Sequence, residues 1–482
     1  MKVEFNSDCI KFSPSPENLQ NSILFFDNGR QSKFSWADFW RRVESLSHHF
    51  ILNGIKHNEY IPVFAHNDIY SILSVLALWK IKSIPVLINP SLTLVETEKI
   101  FNQFSFKKIV TTSLVSETNK NYEDYFIFSD NSQTENMNMG AFSEIEFSYK
   151  DDAIVIFTSG SSSTPKGVVH KFHSLVKSFL IGKDFFNYSS DDRWLLSLPI
   201  YHIGGFSIFF RALLSNAQIV IPPSLSYDDL IEQIEKYEPN FFSFVSAQFK
   251  KIIESNIQAP KDNRVLLGGG RIDSNLIEEG IKKGWNIYKV YGSSETAAFV
   301  TILTPDNFNN YPTSAGKALT NISITIENKD ENNIGEIVIN SPTLFDRYIN
   351  QLPHKKNLFN TEDFGYLKDD FLFIENRRTN LIVSAGKNIN PQEIEDVLMK
   401  SELVNEVVVL GIEDIAWGEK VIAVVVPKGN ESNIENRLRT FSKKYLSSYK
   451  IPKMFLLVKD IPKTSLGKIK YEELKDLIIS LH

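Results

Sequence analysis

The sequence has almost no cysteine. Cys9 is its one cysteine among 482 residues, so no disulfide can form within the chain and no thiolate metal site can be built. One thiol fits a reducing compartment. The first residues, MKVEFNSDCIKF, lack the apolar core of a signal peptide, and no apolar run approaches the ~18–20 residues of a membrane helix. We therefore expect a cytoplasmic protein without membrane insertion.

A basic excess is also missing. The chain has 52 Lys and Arg against 58 Asp and Glu, a formal net charge of -6. Nucleic-acid partners favour basic proteins, so we expect none here. The length favours two or more folding units. Patches for self-association cannot be read from one sequence, and a homo-oligomer is left open.

The first part of the chain alternates short apolar strands with helices. YIPVF and IPVLI are typical of buried strands, and IYSILSVLALWK between them is typical of a buried helix. Ser35 and Asp38 begin a further helix as a capping box. Strand, helix and strand in succession predict parallel sheets covered by helices, which is an α/β fold.

A second, smaller unit is predicted to begin near residue 378. We therefore divide the chain into an N-terminal domain, residues 1–377, and a C-terminal domain, residues 378–482. The C-terminal domain is predicted to be α+β and has a usual domain size. Its predicted elements are a helix at 392–400, strands at 406–410 and 421–427, and a helix at 434–445.

The most informative segment is TSGSSSTPKGVVH, residues 158–170. A predicted strand leads into it, and a helix is predicted to begin near His173. Backbone N–H groups, small hydroxyls and the Lys166 ammonium suit a polyphosphate. Lys166 precedes Gly167, which excludes the Walker spacing, and the dinucleotide spacing G-x-G-x-x-G is absent. Taken alone, such a loop is more often a plain flexible loop.

The loop resembles the phosphate loop T-S-G-[ST]-T-G-x-P-K-G of the adenylate-forming superfamily, which includes acyl-CoA synthetases, adenylation domains and luciferases. It departs at Ser163, where the family usually has Gly; a positive φ there would cost about 1 kcal/mol. The resemblance implies that ATP and AMP are bound by Thr158, Ser159, Gly160, Ser161, Ser162, Ser163, Thr164 and Lys166.

Further motifs of the superfamily follow in the same order. LPIYHIGGFS implies a catalytic His202 at the floor of an acyl pocket, although a lone His among apolar residues is most often a core histidine. VLLGGGRI implies a turn beneath the adenine, although three glycines also suit any tight turn. The resemblance assigns His202, Gly204, Gly205 and Gly269 to the acyl pocket, and Gly268, Gly269 and Gly270 to the nucleotide.

VYGSSETAAF resembles the motif Y-G-x-[ST]-E. The resemblance implies that Tyr291 stacks on adenine and that Gly292 lies beside the nucleotide. Ser294 would bind the α-phosphate and the acyl carboxylate, and Glu295 would hold Mg²⁺, which bridges phosphate oxygens. The competing interpretation, a helix N-cap with an acidic first turn, does not explain Tyr291.

NTEDFGYL and NRRTNLIVSAGKNINP resemble the segments that bind ribose and join the two domains. They imply Asp363 and Arg377 as ribose ligands, Thr379 as the hinge and Gly386 in the CoA tunnel. Lys387, where Glu or Tyr is frequent, has no predicted role.

SLGKIKYEEL resembles the last motif of the superfamily and implies Lys468 as the catalytic lysine of adenylation. The implied fold is a large domain of parallel sheets plus a distorted β-barrel, with a small mobile α+β lid. The implied reaction joins a small carboxylic acid to AMP, using ATP and Mg²⁺, and then passes the acyl group to coenzyme A.

Among subfamilies, the chain is similar to the o-succinylbenzoate–CoA ligases of menaquinone synthesis, through YHIGGFSIFFRALL, LLGGG and NRRTNLIVSAGKNINP. Gly204 stands where many of them carry Ser, which leaves open what holds the second carboxylate of the substrate. No carrier domain follows the C-terminal domain, so we expect coenzyme A as the acceptor. Three alternatives remain: another aryl- or acyl-CoA synthetase, a protein that loads a separate carrier, and a non-catalytic nucleotide-binding relative.

Overall fold

The protein is described by a computed structural model. It describes residues 2–13, 22–27, 30–111, 125–127, 144–158, 165–270, 272–331, 333–353, 358–377, 382–429, 433–462, 469 and 471–480. Among these residues, no helix combines the length and the apolar character needed to cross a membrane.

The helices of the described chain are α1 (Trp36–Leu52), α2 (Ile69–Lys80), α3 (Leu94–Phe104), α4 (Phe172–Phe186), α5 (Ile203–Ser215), α6 (Tyr227–Tyr237), α7 (Ser246–Glu254), α8 (Ser274–Lys282), α9 (Pro305–Phe308), α10 (Pro391–Met399), α11 (Ile434–Tyr445) and α12 (Tyr471–Ser480). A short 3₁₀ turn spans Ser294–Thr296.

The strands of the described chain are β1 (Lys2–Phe5), β2 (Cys9–Ser13), β3 (Ser22–Asp27), β4 (Arg30–Ser35), β5 (Tyr60–Phe64), β6 (Ile84–Ile88), β7 (Ile109–Thr111), β8 (Tyr125–Ile127), β9 (Ile145–Ser148), β10 (Asp152–Thr158), β11 (Lys166–Lys171), β12 (Arg193–Leu195), β13 (Gln218–Val220), β14 (Phe241–Phe244), β15 (Arg264–Leu267), β16 (Ile287–Ser293), β17 (Ala298–Leu303), β18 (Gly316–Ala318), β19 (Ser323–Glu327), β20 (Gly335–Asn340), β21 (Arg347–Tyr348), β22 (Leu358–Lys368), β23 (Phe371–Arg377), β24 (Ile382–Ser384), β25 (Lys387–Ile389), β26 (Val404–Asp414), β27 (Gly418–Pro427) and β28 (Met454–Leu457).

The chain forms two compact units. The first comprises Met1–Pro90, Phe104–Phe157 and Gly167–Arg378, and the second comprises Ser91–Gln103, Thr158–Lys166 and Thr379–His482. The second unit is therefore discontinuous in sequence, because it includes most of α3. The predicted division at residues 377 and 378 does not anticipate this, and it stays a prediction for the domains themselves.

The first unit has the mixed α/β architecture that the alternating segments predict. In one sheet, of order β21-β11-β10-β6-β5-β7-β8, the pairs from β10 to β8 are parallel. In a second sheet, β3, β13, β12, β14, β15 and β16 are parallel neighbours, and β17, β18, β23, β22, β20 and β19 continue it with antiparallel pairs. Strands β5, β6 and β14 bury both faces and have the apolar sequences typical of parallel strands.

The predicted helix starts follow from local capping. The Ser35 side chain accepts a hydrogen bond from the Asp38 N–H and begins α1, which confirms the expected cap. The Asp68 side chain accepts from the Ser71 N–H and begins α2. Nearly all of α2 is buried, as its continuous apolar sequence predicts. It packs against α1 and against the strands on either side of it in the chain.

The phosphate-loop motif differs from the prediction in one respect. A helix does follow, since α4 begins at Phe172, but strand β11 intervenes. Its Val168 and Val169 are fully buried and pair with β21, and β-branched residues favour such a position. The described strands β10 and β11 therefore flank the motif in the chain.

The second unit has a sheet of order β25-β24-β27-β26, with β28 parallel to β27. Side chains of β27 alternate between two cores. Val421, Ala423 and Val425 face one core, which includes α10 and α11. Ile422 and Val424 face the other, which includes α12. This confirms the α+β character predicted for the C-terminal region.

Candidate active site

The phosphate-loop residues fall mainly outside the described chain. Ser159, Gly160, Ser161, Ser162, Ser163 and Thr164 are not described. Thr158 ends β10 and Lys166 begins β11, and both are half-buried. Their assignment to phosphate binding therefore stays a prediction.

Glu295 lies in the 3₁₀ turn after β16 and is held from two directions. The Tyr348 hydroxyl donates to Glu295 Oε1 at 3.1 Å. The carbonyl oxygen of the preceding Ser294 accepts from His170 Nε2 at 2.6 Å. Burial, with this contact opposing it, lowers the pKa of His170 to about 4, so the ring is neutral at pH 7 and carries its proton on Nε2. The turn is thus fixed before any ligand binds.

His170 and Tyr348 have no role in the sequence interpretation. His170 ends the quoted loop motif, so its position was visible, but its contact with Ser294 spans 124 residues. Tyr348 lies in a two-residue strand, and no local pattern indicates it.

Tyr291 and Asp363 meet in the structure. The Tyr291 hydroxyl donates to Asp363 Oδ2 at 2.8 Å, across 72 residues. Asp363 lies in β22 and pairs through its Cα with Arg377 of β23; the side chain of Arg377 is not described. The residue predicted to stack on adenine and the two predicted to bind ribose therefore fall at one place in the sheet.

The glycine turn follows β15, as predicted. Gly269 has a φ of +88°, in the left-handed region that favours glycine.

Lys289 lies on the same face of the neighbouring strand β16 as Tyr291, and the sequence did not indicate it as a site residue. Burial lowers the pKa of Lys289 to about 8, and its Nζ donates to the Thr313 carbonyl at 3.3 Å.

His202 is the N-cap residue of α5, and its ring centroid lies 4.7 Å from that of Tyr201. The loop before it is fixed by Asn67, which donates to the Leu198 carbonyl at 2.8 Å and accepts from the Ile200 N–H at 2.9 Å. The role of Asn67 could not be predicted from local sequence, because Asn67 lies 133 residues from Ile200.

The two glycines of the α5 motif differ in their surroundings. A Cβ at Gly205 would lie 2.1 Å from the Pro199 carbonyl oxygen, whereas one at Gly204 would meet only Leu198 Cδ1, at 3.3 Å. Gly205 therefore permits the close approach of α5 to residues 198–199. Gly204 is the more open position, and it is the better candidate for contact with an acyl group.

Arg211 is a further residue of α5 that the sequence did not single out. It is 3% exposed, and its guanidinium lies 4.6 Å from the ring centroid of Phe299. Its Nη2 makes no hydrogen bond within the described chain. Burial lowers the pKa of Arg211, with Tyr188 opposing the effect. A buried cation without an anionic partner is costly, which favours a missing anionic ligand.

The remaining predicted positions lie in the second unit or beside it. Gly386 occupies the turn between β24 and β25, with a φ of +76°. Thr379 and Lys468 lie outside the described residues, so the hinge and the catalytic lysine stay predictions.

Comparison with known families decides the wider class. The AMP-binding enzyme family matches residues 15–349, which is more than half of the chain. The chain belongs to the AMP-binding enzyme family. A second family, the AMP-binding enzyme C-terminal domain, matches residues 393–468. This confirms the superfamily resemblance inferred from the motifs.

Individual members of the AMP-binding family cover nearly the whole chain. A 2-succinylbenzoate–CoA ligase of Bacillus mycoides is 28% identical over 462 residues, covering 93% of this chain and 94% of that protein. An o-succinylbenzoate CoA synthetase of Bacillus subtilis, a double mutant bound to a product analogue, has a TM-score of 0.86 at 26% identity, with 96% of each chain covered.

Two other solved structures extend the comparison. The Bacillus subtilis synthetase in complex with the acyl-adenylate intermediate has a TM-score of 0.70 at 25% identity and again covers 96% of each chain. An amide bond synthetase of Marinactinospora thermotolerans has a TM-score of 0.81 at 19% identity, covering 96% of this chain and 98% of that one. The second likeness concerns the fold alone.

Proposed function

We propose that this AMP-binding enzyme is an acid–thiol ligase that joins o-succinylbenzoate to coenzyme A through an acyl-AMP intermediate. The reaction class is supported by the meeting of Tyr291 and Asp363, which brings two predicted nucleotide positions together. The choice of acid is supported by the similarity to 2-succinylbenzoate–CoA ligases along the chain and by Arg211, whose Nη2 has no hydrogen bond in the described part of the chain.

The first step would activate the acid. The carboxylate attacks the α-phosphorus of ATP, forming an acyl-phosphate bond while pyrophosphate leaves. Two anions approach each other, so preorganised donors must offset the developing charge. We assign this role to Lys468 and Ser294, with the phosphate loop holding the polyphosphate and Arg377 and Asp363 holding the ribose.

A magnesium ion fits the donors present near the turn. Within the part of the chain that is described, no group of three or more His, Cys, Asp or Glu side chains could hold a metal ion. Mg²⁺ commonly binds one or two carboxylates together with substrate phosphates. Glu295 is the carboxylate we assign, and the bound ion would reduce the negative charge of the phosphates.

The second step would transfer the acyl group. The thiolate of coenzyme A attacks the acyl carbonyl, and AMP leaves with the bonding electron pair. We propose that residues 378–482 act as a lid that turns about Thr379 between the steps, so that Lys468 serves the first step and Gly386 serves the second. Such conformational steps commonly limit turnover.

Arg211 is our candidate for the second carboxylate of o-succinylbenzoate. It lies on α5, whose N-cap residue is His202, and it stacks on Phe299, whose Cα pairs with Gly292 of the YGSSE motif. An arginine can bind a carboxylate through two parallel hydrogen bonds. A ligand carboxylate there would provide the anion that the described residues do not.

Product formation tests the proposal. Purified protein is incubated with ATP, Mg²⁺, coenzyme A and o-succinylbenzoate, alongside a panel of benzoates and fatty acids, and thioesters are detected by mass. We expect product from o-succinylbenzoate and a ~10²–10³-fold lower rate in Lys468→Ala, since one preorganised donor is lost.

Three other outcomes would redirect the proposal. A thioester from a different acid alone keeps the ligase class and discards o-succinylbenzoate. Adenylate that forms but is not passed to coenzyme A favours loading of a carrier protein. The absence of pyrophosphate release with every acid favours a non-catalytic nucleotide-binding role.

A further inference from the structure

The second unit contains a buried carboxylate whose oxygens are fully engaged. Glu96, near the start of α3, is 7% exposed. Its Oε2 accepts from the Thr93 N–H at 2.8 Å and from the Ser447 hydroxyl at 2.6 Å, and its Oε1 accepts from Lys450 Nζ at 2.6 Å. Burial opposes the charge, but Lys450 and the hydrogen bonds lower the pKa of Glu96.

Lys450 joins this carboxylate to a second one. Its Nζ also donates to Glu393 Oε1 of α10, at 2.9 Å, and the residue is 7% exposed. Burial opposes its charge, but Tyr449, Glu393 and Glu96 together raise the pKa of Lys450. Buried charges that are paired and hydrogen-bonded in this way fix geometry because breaking them is costly.

The same cluster reaches the hairpin that carries Gly386. Lys387, the next residue, has its Nζ 4.2 Å from the centroid of the Tyr449 ring, and Lys450 Nζ lies 5.7 Å from that centroid. Burial and the charge of Lys450 lower the pKa of Lys387. The Tyr449 ring therefore lies near two cations, one on the hairpin and one bound by both carboxylates.

We propose that Glu96, Lys387, Glu393, Tyr449 and Lys450, which we name the charge cluster, are positioning residues for the thioester-forming step. This inference rests on the proposed function, in which Gly386 lies beside the entering thiol. Because Glu96 lies outside the lid of residues 378–482, its contact with Lys450 belongs to the lid position of that step. The cluster fixes the β24–β25 hairpin through the cation–π contact of Lys387 with Tyr449. It gives Lys387 the role that the sequence left unassigned.

The charge cluster lies beside one of the two cores of the second unit, the core that includes α10 and α11. Glu393 lies on α10 and Tyr449 packs against the core that includes Ile382 and Ile389 of the hairpin strands. Lys468 lies in the sequence between Ile461 and α12, both of which pack in the other core. A disturbance of the charge cluster should therefore reach the hairpin and leave adenylation by Lys468 largely intact.

Measuring the two half-reactions separately tests this assignment. Adenylation is followed by pyrophosphate exchange into ATP with the acid present, and thioester formation by its kcat and KM for coenzyme A. For Lys450→Met and Glu96→Gln we expect kcat/KM for coenzyme A to fall at least tenfold, and exchange to stay within twofold of wild type.

Two further variants control for general damage. Glu435→Gln removes a carboxylate of the same unit that pairs with Arg439 at 2.9 Å on the surface, and it should change neither half-reaction. The double variant Glu96→Gln/Lys450→Met should be no worse than Lys450→Met alone, because the two residues act as one unit.

Each other result overturns the inference. An equal fall in both half-reactions would mean that the cluster only supports folding, and unchanged kinetics for coenzyme A would mean that it does not position the hairpin. If Lys450→Met does not fold, the isosteric Glu96→Gln decides alone. A wild-type protein that shows no exchange with any acid would instead count against the proposed function.

Discussion

Lys450 and Arg211 are buried to a similar extent, but their side chains differ in their charged and hydrogen-bonding partners. Lys450 is 7% exposed and binds two carboxylates at 2.6 and 2.9 Å. Arg211 is 3% exposed, faces an aromatic ring, and leaves its Nη2 without a hydrogen bond in the described chain. The first cation is satisfied by the protein, whereas the second is not.

The difference separates a structural charge from a candidate binding charge. A paired buried ion stabilises one arrangement, and its loss leaves unpaired charges behind. An unpaired buried ion destabilises the free protein, and a ligand of opposite charge would relieve that cost. The two residues should therefore respond in opposite directions when each is replaced by an apolar side chain.

The largest expected effect is a loss of stability in Lys450→Met. The buried carboxylate of Glu96 and the half-buried carboxylate of Glu393 would lose their cation, and breaking a buried pair typically costs about 3–5 kcal/mol. Urea unfolding followed by circular dichroism measures the change. If Lys450→Met is as stable as wild type, Lys450 is not the structural charge that its partners indicate.

A third buried ionisable group, the imidazole of His170, is neutral in the folded protein at pH 7. The free energy of unfolding therefore depends on pH. The pKa of His170 in the folded protein is about 4, against 6.5 for the ordinary group. Between pH 4 and 6.5, the imidazole of His170 therefore binds a proton in the unfolded chain but not in the folded one. The contribution of neutral His170 to the free energy of unfolding is complete above pH 6.5 and is lost as the pH falls towards 4. We expect a decrease of about 3 kcal/mol in the free energy of unfolding.

Urea titrations at several pH values between 4 and 7 measure this decrease. His170→Gln should flatten the pH dependence in that window, whereas His48→Gln, which replaces an exposed histidine of α1, should leave it unchanged. A wild-type and a His170→Gln protein with the same slope would show that His170 is not the group responsible.

Arg211→Met should separate binding from stability. Loss of a charge-assisted carboxylate contact is typically worth about 1.5–3 kcal/mol, so kcat/KM for o-succinylbenzoate should fall about 100-fold, whereas benzoate, which lacks the second carboxylate, should be unaffected. Stability should stay level or rise. Arg264→Met is the matched control, because Arg264 also stacks on an aromatic ring but pairs with Asp192 at 3.2 Å.

The control variant Arg264→Met should be less stable than wild type, but its ratio of kcat/KM for o-succinylbenzoate to that for benzoate should be unchanged. If Arg211→Met lowers the rate with benzoate and o-succinylbenzoate equally, Arg211 supports the pocket and does not bind the second carboxylate.

The smallest expected effect concerns Tyr348. Tyr348→Phe removes the hydrogen bond to Glu295, which should raise the KM for MgATP about tenfold, as expected for about 1.4 kcal/mol. Tyr311→Phe is the control, since Tyr311 bonds Asp369 at 3.0 Å on the surface. An unchanged KM in Tyr348→Phe would mean that the turn keeps Glu295 in place without this contact.

Local patterns predicted much of the fold. The apolar runs of β5 and β6, the buried α2 and the cap at Ser35 were all predicted because each depends on neighbouring residues. Strand β11 was missed because Val168 and Val169 directly follow the Lys-Gly of the loop motif and precede a helix by only a few residues. The short strand gave too little periodicity to be recognised.

The site residues that escaped prediction depend on distant contacts. Glu96 and Lys450 are 354 residues apart, and Arg211 occurs in a helix where an arginine is ordinarily solvent-facing. The motif resemblance placed Tyr291 and Asp363 in related roles, and the structure brings them within a hydrogen bond of each other. What no sequence pattern supplied was which buried charges are paired.

The discontinuity of the second unit affects how the gene can be recombined. Residues 91–103 group with the C-terminal residues, and they bring Glu96 to Lys450. A chimera that exchanges only residues 379–482 between two family members would combine Lys450 of one parent with residue 96 of the other. A crossover scheme for this enzyme therefore needs three inserts, because residues 91–103 and 158–166 have to be inherited together with residues 379–482.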